Sequence, residues 1–385
     1  MHQAVIVEAV RTPTGRRNGA LSEWHPVDLM AETLRAIVDR TGIDPALVDD
    51  VIGGCVIQIG EQAVNISRNA VLAAGFPETV PATTVDRQCG SAQQAIHFAA
   101  QAIQSGAYDV AIAAGVESMT RVPMTSSITN NLDQDPYSDR IKARYADQGG
   151  IQGQGVAAEL IAEMWGLTRT ELDEFSLRSH RLAAAATAEG RFAREIVAIK
   201  GINGLLDSDE GIRPDTSLEK LAGLRTVFKA DGVITAGNAS QIADGASAVL
   251  LMSDRKAAEL GLTPRARVHT MTLAASDPVT MLTAPIPATL KALEKSGLSV
   301  NDIDVFEINE AFAPVVLGWQ REVGVDPEKV NPNGGAIAIG HPLGSSGTRL
   351  MATLLHELER RDATFGLQTM CEAGGMANAT IIERL

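Results

Sequence analysis

The chain has 385 residues, enough for two full hydrophobic cores, and its 45% hydrophobic residues and 35 glycines suit close helix-on-sheet packing. A net charge of −14 and an aromatic content of 4% argue against nucleic acid and anionic membrane surfaces as partners. Three scattered cysteines make no disulfide framework, no Cys-x-x-Cys or His-x-x-x-His spacing suggests a metal, and a reducing, cytoplasmic setting fits best. No basic-then-apolar leader precedes the strand-like run at 4–7, and apolar runs such as 110–116 are too short to span a bilayer.

In chain order, residues 4–8 read as a strand, 26–41 as an amphipathic helix stopped by Gly42, and 51–54 as a second strand. A β-branched run then passes through Asp86-Arg87-Gln88 into a Cys89-Gly90-Ser91 corner. A helix to about Ser105 follows, then a strand over 108–114 that ends at Gly115-Val116-Glu117-Ser118. The second half repeats this order: strand 266–270, helix 286–296 stopped by Gly297, and strand 303–308. Next come Gly344-Ser345-Ser346-Gly347, a helix to about Arg360, a strand over 364–370 and a turn from Cys371 to Gly375. The repeat predicts a duplicated α/β architecture of mixed sheets covered by helices.

Between the halves, about 120–238 breaks the rhythm with a polar stretch (126–138), a Gly/Gln segment (149–155) and a helical stretch over 156–190. An insertion of this length at a strand end is expected to cap a substrate site, the alternative being a surface excursion. Residues 121–229 carry 14 Lys and Arg against 16 Asp and Glu, which makes this the part of an acidic chain least repulsive to an anionic ligand.

Cys89 stands where a strand turns into a helix, so the helix N-terminus lies beside its sulfur and favours the thiolate. A packed cysteine needs neither the polar approach nor the Gly-Ser corner; Cys55, beside apolar strand residues, reads as the packed case. His341 sits in a loop of glycines and two prolines, 331–344, a setting that lets a ligand approach the backbone. A neutral imidazole near Cys89 would take the thiol proton. The other internal histidines (His25, His97, His180, His269 and His356) read as structural or solvated. Cys371, at a strand end, is open to three readings: an acid–base thiol, a packed residue, or a disulfide partner of Cys89. Asn309-Glu310-Ala311-Phe312 follows a strand; Asn309 can fix a water or a carbonyl oxygen, and Phe312 can wall a pocket. Gly237-Asn238-Ala239-Ser240 is a small-residue turn.

With Cys89, Asn309, His341 and Cys371 in this order, the chain resembles the thiolase family over essentially its whole length; Asn-Glu-Ala-Phe and Gly-Gly-Ala-Ile-Ala-Ile-Gly-His-Pro are its most specific segments. The resemblance implies αβαβα layers built from two related domains. These are an N-terminal domain (1–119 and 239–264) and a C-terminal domain (265–385), with a loop domain (120–238) that holds CoA. It implies thiolytic cleavage of a 3-oxoacyl-CoA by CoA to acetyl-CoA and a shortened acyl-CoA. By matching motif, Cys89 is the acylated nucleophile, and His341 activates it and forms an oxyanion site with a water held by Asn309. Cys371 protonates the departing carbanion and deprotonates CoA. A second oxyanion site would use the backbone N–H groups of Cys89 and Ala373, such donors being worth ~3 kcal/mol each. Ser240, Met281, Phe312 and Arg213 resemble residues along the CoA site. The resemblance further implies CoA as co-substrate, no permanent cofactor, and a homodimer or homotetramer.

The chain departs from the family at two places. Ala373 replaces the first glycine of Cys-x-Gly-Gly-Gly, and alanine resists a positive φ. Where acetoacetyl-CoA-specific members carry His-Met-Gly, this chain has Gly153-Gln154-Gly155, which is expected to leave room for a longer or bulkier acyl group. Degradative β-oxidation, including that of steroid side chains, is therefore expected over biosynthetic condensation of two acetyl-CoA. Cys371 argues against a decarboxylating oxoacyl synthase, and the full set of four polar residues against a silent acyl-CoA-binding relative. No Gly-x-Gly-x-x-Gly or Walker sequence supports a nucleotide-binding protein.

Overall fold

The computed structural model describes residues 2–129 and 135–385; the polar stretch read over 126–138 lies partly outside the described residues. The first helix, Pro26–Thr41, starts where His25 accepts a hydrogen bond from Val27 N and ends at Gly42 in the left-handed conformation (φ 68°). Its counterpart in the second half, Pro285–Ser296, ends the same way at Gly297 (φ 74°). The helical stretch read as continuous over 156–190 is two helices, Gln154–Met164 and Arg169–Ala188. Thr168 and Glu171 form a capping box at the second start, a Thr-x-x-Glu signal that the sequence displays.

The strands are β1 (Ala4–Arg11), β2 (Gly15–Arg16), β3 (Asp50–Gly54), β4 (Ala82–Val85), β5 (Val110–Ser118), β6 (Ile199–Gly201), β7 (Gly204–Leu206), β8 (Ala243–Ser253), β9 (Ala266–Ala275), β10 (Val305–Ile308), β11 (Phe365–Glu372) and β12 (Met376–Arg384). Among the described residues ten strands share one sheet, in the order β10-β11-β12-β9-β1-β8-β5-β3-β4 with β2 beside β8, and β6 and β7 form a hairpin. The first half contributes β4-β3-β5-β8-β1. The second contributes β10-β11-β12-β9, extended by a parallel bridge between Phe306 and Val330 in the place that β4 holds in the first. Both halves thus have one strand order, which bears out the duplication read from the sequence. The two halves meet edge to edge where Val5 and Ile6 of β1 pair with Arg267 and Ala266 of β9.

The sheet is covered in layers. One core lies under Pro26–Thr41 and Ile66–Ala73, and another under Pro285–Ser296 and Ala313–Val323. The central core joins helices Ser91–Ser105 and Ser346–Arg361, through Ile96, Ile103, Met351 and Leu355, to strands of both halves. These two helices touch at Gly347, where a Cβ would run into the backbone of Gln93. Between β5 and β8 the first half carries its long insertion, whereas β11 and β12 are joined by the short turn Ala373-Gly374-Gly375. The duplication therefore places the Cys89 corner and the His341 loop at equivalent points, each before a central helix, and the insertion beside them.

Candidate active site

The Cys89 corner is built by short local bonds. Asp86 Oδ1 accepts from Gln88 N (2.7 Å), while Ser91 Oγ accepts from Arg87 N (2.9 Å) and donates to Gln88 O (2.6 Å). Gln88 is forced to φ 50°, a strained conformation for a non-glycine residue and one found where a side chain must be aimed. From below, Asn378 Nδ2 donates to Gly90 O (3.0 Å), tying the corner to β12. Cys89 is buried, and Gln154 Nε2 approaches its sulfur at 3.9 Å.

Burial dominates the electrostatics here. It pushes the Cys89 thiol up to about 12, against the hydrogen bond from Gln154, and Glu372 and Glu117 raise it further when ionised. The expectation that the helix terminus keeps a standing thiolate is therefore corrected: desolvation outweighs the dipole, and the resting sulfur is a thiol. Cys371 is pushed up for the same first reason, then by Cys89. All three cysteines are free, which removes the disulfide reading, and Cys55 is buried in the first-half core.

His341 is buried, and its backbone N–H donates to Gln241 O (3.0 Å). Gln241 holds the loop in turn, donating from Nε2 to Gly211 O, Ile337 O and Ala338 O at 2.8–3.0 Å. The imidazole's Nδ1 lies 2.6 Å from Ser346 Oγ, whose single proton is given to Pro342 O (2.9 Å). Ser346 must therefore accept from Nδ1–H, which leaves the lone pair on Nε2. Burial, then Arg349, depresses this imidazole to about 3, so it is neutral near pH 7 and free to take a proton.

Asn309 follows β10, and its Nδ2 lies 3.3 Å from His341 Nε2. The same side chain donates to the Cys371 sulfur, and its buried Oδ1 has no partner among the described residues. The four polar residues expected at the site are thus brought together: Cys89 acts on Cys371, and Asn309 joins Cys371 to His341. Phe312, Met281, Cys371 and the flank of Ala373 share one apolar cluster. Ser240 joins it through the backbone: its N–H donates to Ala311 O (2.9 Å), and Ala239 bridges Phe312. Arg213 is exposed and lies outside this cluster, with its N–H on His180 Nδ1 (3.1 Å). In the turn after Cys371 the positive φ values fall on Gly374 (83°) and Gly375 (78°) and not on Ala373, so alanine fits there without strain.

Sequence reasoning missed several residues. Ser346, which sets the imidazole tautomer, was visible only as part of a Gly-Ser loop. Gln154 counted as lost bulk, yet its amide reaches the sulfur. A Cβ at Gly153, which is exposed, would meet nothing within 4 Å, but Phe228 closes over Gly155, where a Cβ would run into its ring, and meets Phe312 edge-on at 6.1 Å. Glu372 is fully buried under Gly90 with both carboxylate oxygens unpartnered among the described residues, and Arg87 Nη1 is 4.0 Å away. The remaining histidines are structural where buried: His97 bonds Thr380 Oγ1 (2.7 Å) and His356 bonds Ala352 O (2.8 Å).

A buried thiol, a neutral imidazole with its lone pair turned inward and a second thiol define an acyl-transfer site. The models of the thiolase N-terminal and C-terminal domains match residues 4–255 and 262–384. A steroid 3-ketoacyl-CoA thiolase of Mycobacterium tuberculosis is 55% identical, over 100% of this chain and 95% of that protein. A 3-ketoacyl-CoA thiolase of Shewanella loihica is 48% identical over the whole of both. Among solved structures, the Bacillus anthracis acetyl-CoA acetyltransferase superposes with a TM-score of 0.91 at 42% identity, covering 100% of this chain and 99% of that one. Human mitochondrial 3-ketoacyl-CoA thiolase in complex with CoA gives 0.91 at 37%, covering 100% and 98%. The chain belongs to the thiolase family. It is an acyl-CoA thiolase, an acyltransferase with CoA as co-substrate. No helix among the described residues is long and apolar enough to cross a membrane.

Proposed function

We propose that this enzyme cleaves 3-oxoacyl-CoA with CoA in a degradative pathway, through an acyl group carried on Cys89. The Cys89 thiol gives its proton to His341 Nε2 as the sulfur attacks the 3-oxo carbon. The C2–C3 bond breaks, the acyl group stays on sulfur, and the departing acetyl-CoA carbanion takes the proton of Cys371. The Cys371 thiolate then removes the thiol proton of incoming CoA. The CoA sulfur attacks the acyl carbon, the carbon–sulfur bond to Cys89 breaks, and His341 returns the proton to Cys89. Charge develops on two oxygens in turn. The protonated Nε2 of His341, with Asn309 and a water, serves the thioester oxygen, and the N–H groups of Cys89 and Ala373 serve the acyl oxygen. The observation that carries this reading is the Asn309 amide standing between the imidazole and the second thiol.

In the same reading, residues 120–238 form the loop domain that holds CoA, with Ser240, Met281 and Phe312 along the pantetheine arm and Arg213 beside the nucleotide. The open space at Gly153 favours a long or bulky acyl group over acetoacetyl-CoA, as in β-oxidation of fatty acids or steroid side chains. The names of the two curated relatives support the degradative direction. Strand β4 pairs only with β3 among the described residues, and its open edge supports a homodimer or homotetramer. A reducing cytoplasm suits three free thiols.

A turnover panel tests the substrate class. Acetoacetyl-CoA, medium and long 3-oxoacyl-CoA and a steroid-like 3-oxoacyl-CoA are compared by kcat/KM with CoA as acceptor. Higher values for the long or polycyclic substrates are expected; a clear preference for acetoacetyl-CoA would reverse the assignment to the biosynthetic reaction.

A further inference from the structure

We propose that Gln154 is a further catalytic residue, whose carboxamide N–H holds the Cys89 sulfur through the thiolate stage of the reaction. The inference rests on the reading of Cys89 as the nucleophile. Gln154 opens helix Gln154–Met164 and places Nε2 at 3.9 Å from Sγ of Cys89, a residue only 2% exposed. A sulfur that loses its proton there has lost most of its water, so each remaining donor counts for more than it would in solution.

The groups around the sulfur are mostly of the wrong sign for a thiolate. Glu372 and Cys371 on β11 and Glu117 on β5 all disfavour it when ionised, while Arg87, on the same corner, is drawn to Glu372 at 4.0 Å. His341 is neutral until it receives the proton. The side chain that favours the charged sulfur is Gln154, with the backbone N–H of Cys89 beside it. A hydrocarbon or thioether at this position could fill the same space but could donate nothing.

The surroundings hold the helix that carries the amide. Gly155 leaves no side chain between the first turn of the helix and the Phe228 ring, which seats directly against it. Phe228 in turn packs edge-on against Phe312, next to the Asn309 segment. Glu159, one turn further along, accepts from Val233 N (2.8 Å) and Ile234 N (2.9 Å) and so binds the helix to the strip that carries Phe228. The helix that carries the donor is thus held at its first turn and again one turn on.

The test is the pH dependence of Cys89 alkylation by iodoacetamide, followed by peptide mapping, in the wild type and in the Gln154→Met, Gln154→Asn and Gln154→Glu variants. A hydrogen bond to an ionised partner is worth about tenfold or more. Gln154→Met is therefore expected to slow alkylation near neutral pH about tenfold and to move the profile up by about one pH unit, with kcat falling in parallel and KM for CoA nearly unchanged. Gln154→Asn, which keeps an amide but withdraws it, should behave like Gln154→Met, and Gln154→Glu should move the profile further up. Coincident profiles for the wild type and Gln154→Met at equal Tm would overturn the proposal. If Gln154→Met fails to fold, the same coincidence in Gln154→Asn decides it. Full turnover after complete alkylation of Cys89 in the wild type would instead overturn the nucleophile itself.

Discussion

Asn309 Nδ2 lies 3.3 Å from Nε2 of His341. The same amide reaches the Cys371 sulfur, so a single uncharged side chain links the group that accepts the Cys89 proton to the thiol that protonates the departing carbanion. Asn309→Ala is predicted to lower kcat by about 10²- to 10³-fold, the usual loss for one oriented donor, with Tm little changed. Steady-state turnover of a 3-oxoacyl-CoA measures it; a variant within about threefold of the wild type would remove Asn309 from the reaction.

Ser346 decides which imidazole nitrogen carries the proton. Its own proton goes to Pro342 O, so it accepts from His341 Nδ1 at 2.6 Å. In Ser346→Ala the imidazole is free to take the other tautomer, with a proton on Nε2 and no lone pair there to receive the proton of Cys89. General-base catalysis supplies about 10²- to 10⁴-fold, and loss of orientation should forfeit part of it, on the order of 10- to 100-fold in kcat. Alkylation of Cys89 should slow in the same proportion. Normal alkylation with reduced kcat would place the role of Ser346 elsewhere.

Much of this site was legible in the order of residues, and the rest was not, for physical reasons. The Cys89 corner announced itself because a strand, a polar turn and a helix start follow one another within a few residues. The helix Pro26–Thr41 was bounded by local signals at both ends. What determines the ionisation of Cys89, by contrast, is burial among residues of other segments, Met119, Leu343, Leu350 and Met370, and a local dipole argument gave the wrong balance. Gln154 comes to the sulfur only because the insertion folds back over the first half, which no local pattern encodes. The break between the two insertion helices could have been read from Thr168 and Glu171.

The pH dependence of stability should carry the mark of Glu372. Burial raises its carboxyl from the ordinary 4.5 to about 8, partly offset by Arg87. Between those values the folded chain keeps a proton that the unfolded chain has lost, so this group makes stability fall as pH rises through the window. The slope is at most about 1.4 kcal/mol per pH unit. Glu372→Gln removes the titration and should gain on the wild type in Tm as pH rises from 5 to 8. Parallel Tm curves for the two proteins would show that Glu372 does not titrate there.

The turn after Cys371 makes a paired prediction. Ala373→Gly should change turnover and stability little, since position 373 keeps its N–H and lies outside the left-handed region. Gly374→Ala, at φ 83°, should lower stability by about 1–2 kcal/mol. Thermal melts of both variants give the comparison, and equal losses in the two would contradict the assignment of strain to Gly374.

Rapid-quench mass spectrometry asks the central question outright. The protein is mixed with a 3-oxoacyl-CoA, or with acetyl-CoA alone, quenched in acid within one turnover and digested. One acyl group is expected, on the peptide that carries Cys89, absent from Cys89→Ala and discharged when free CoA is added before the quench. Acylation of Cys371 or Cys55 in its place, or sustained turnover by Cys89→Ala, would contradict the account.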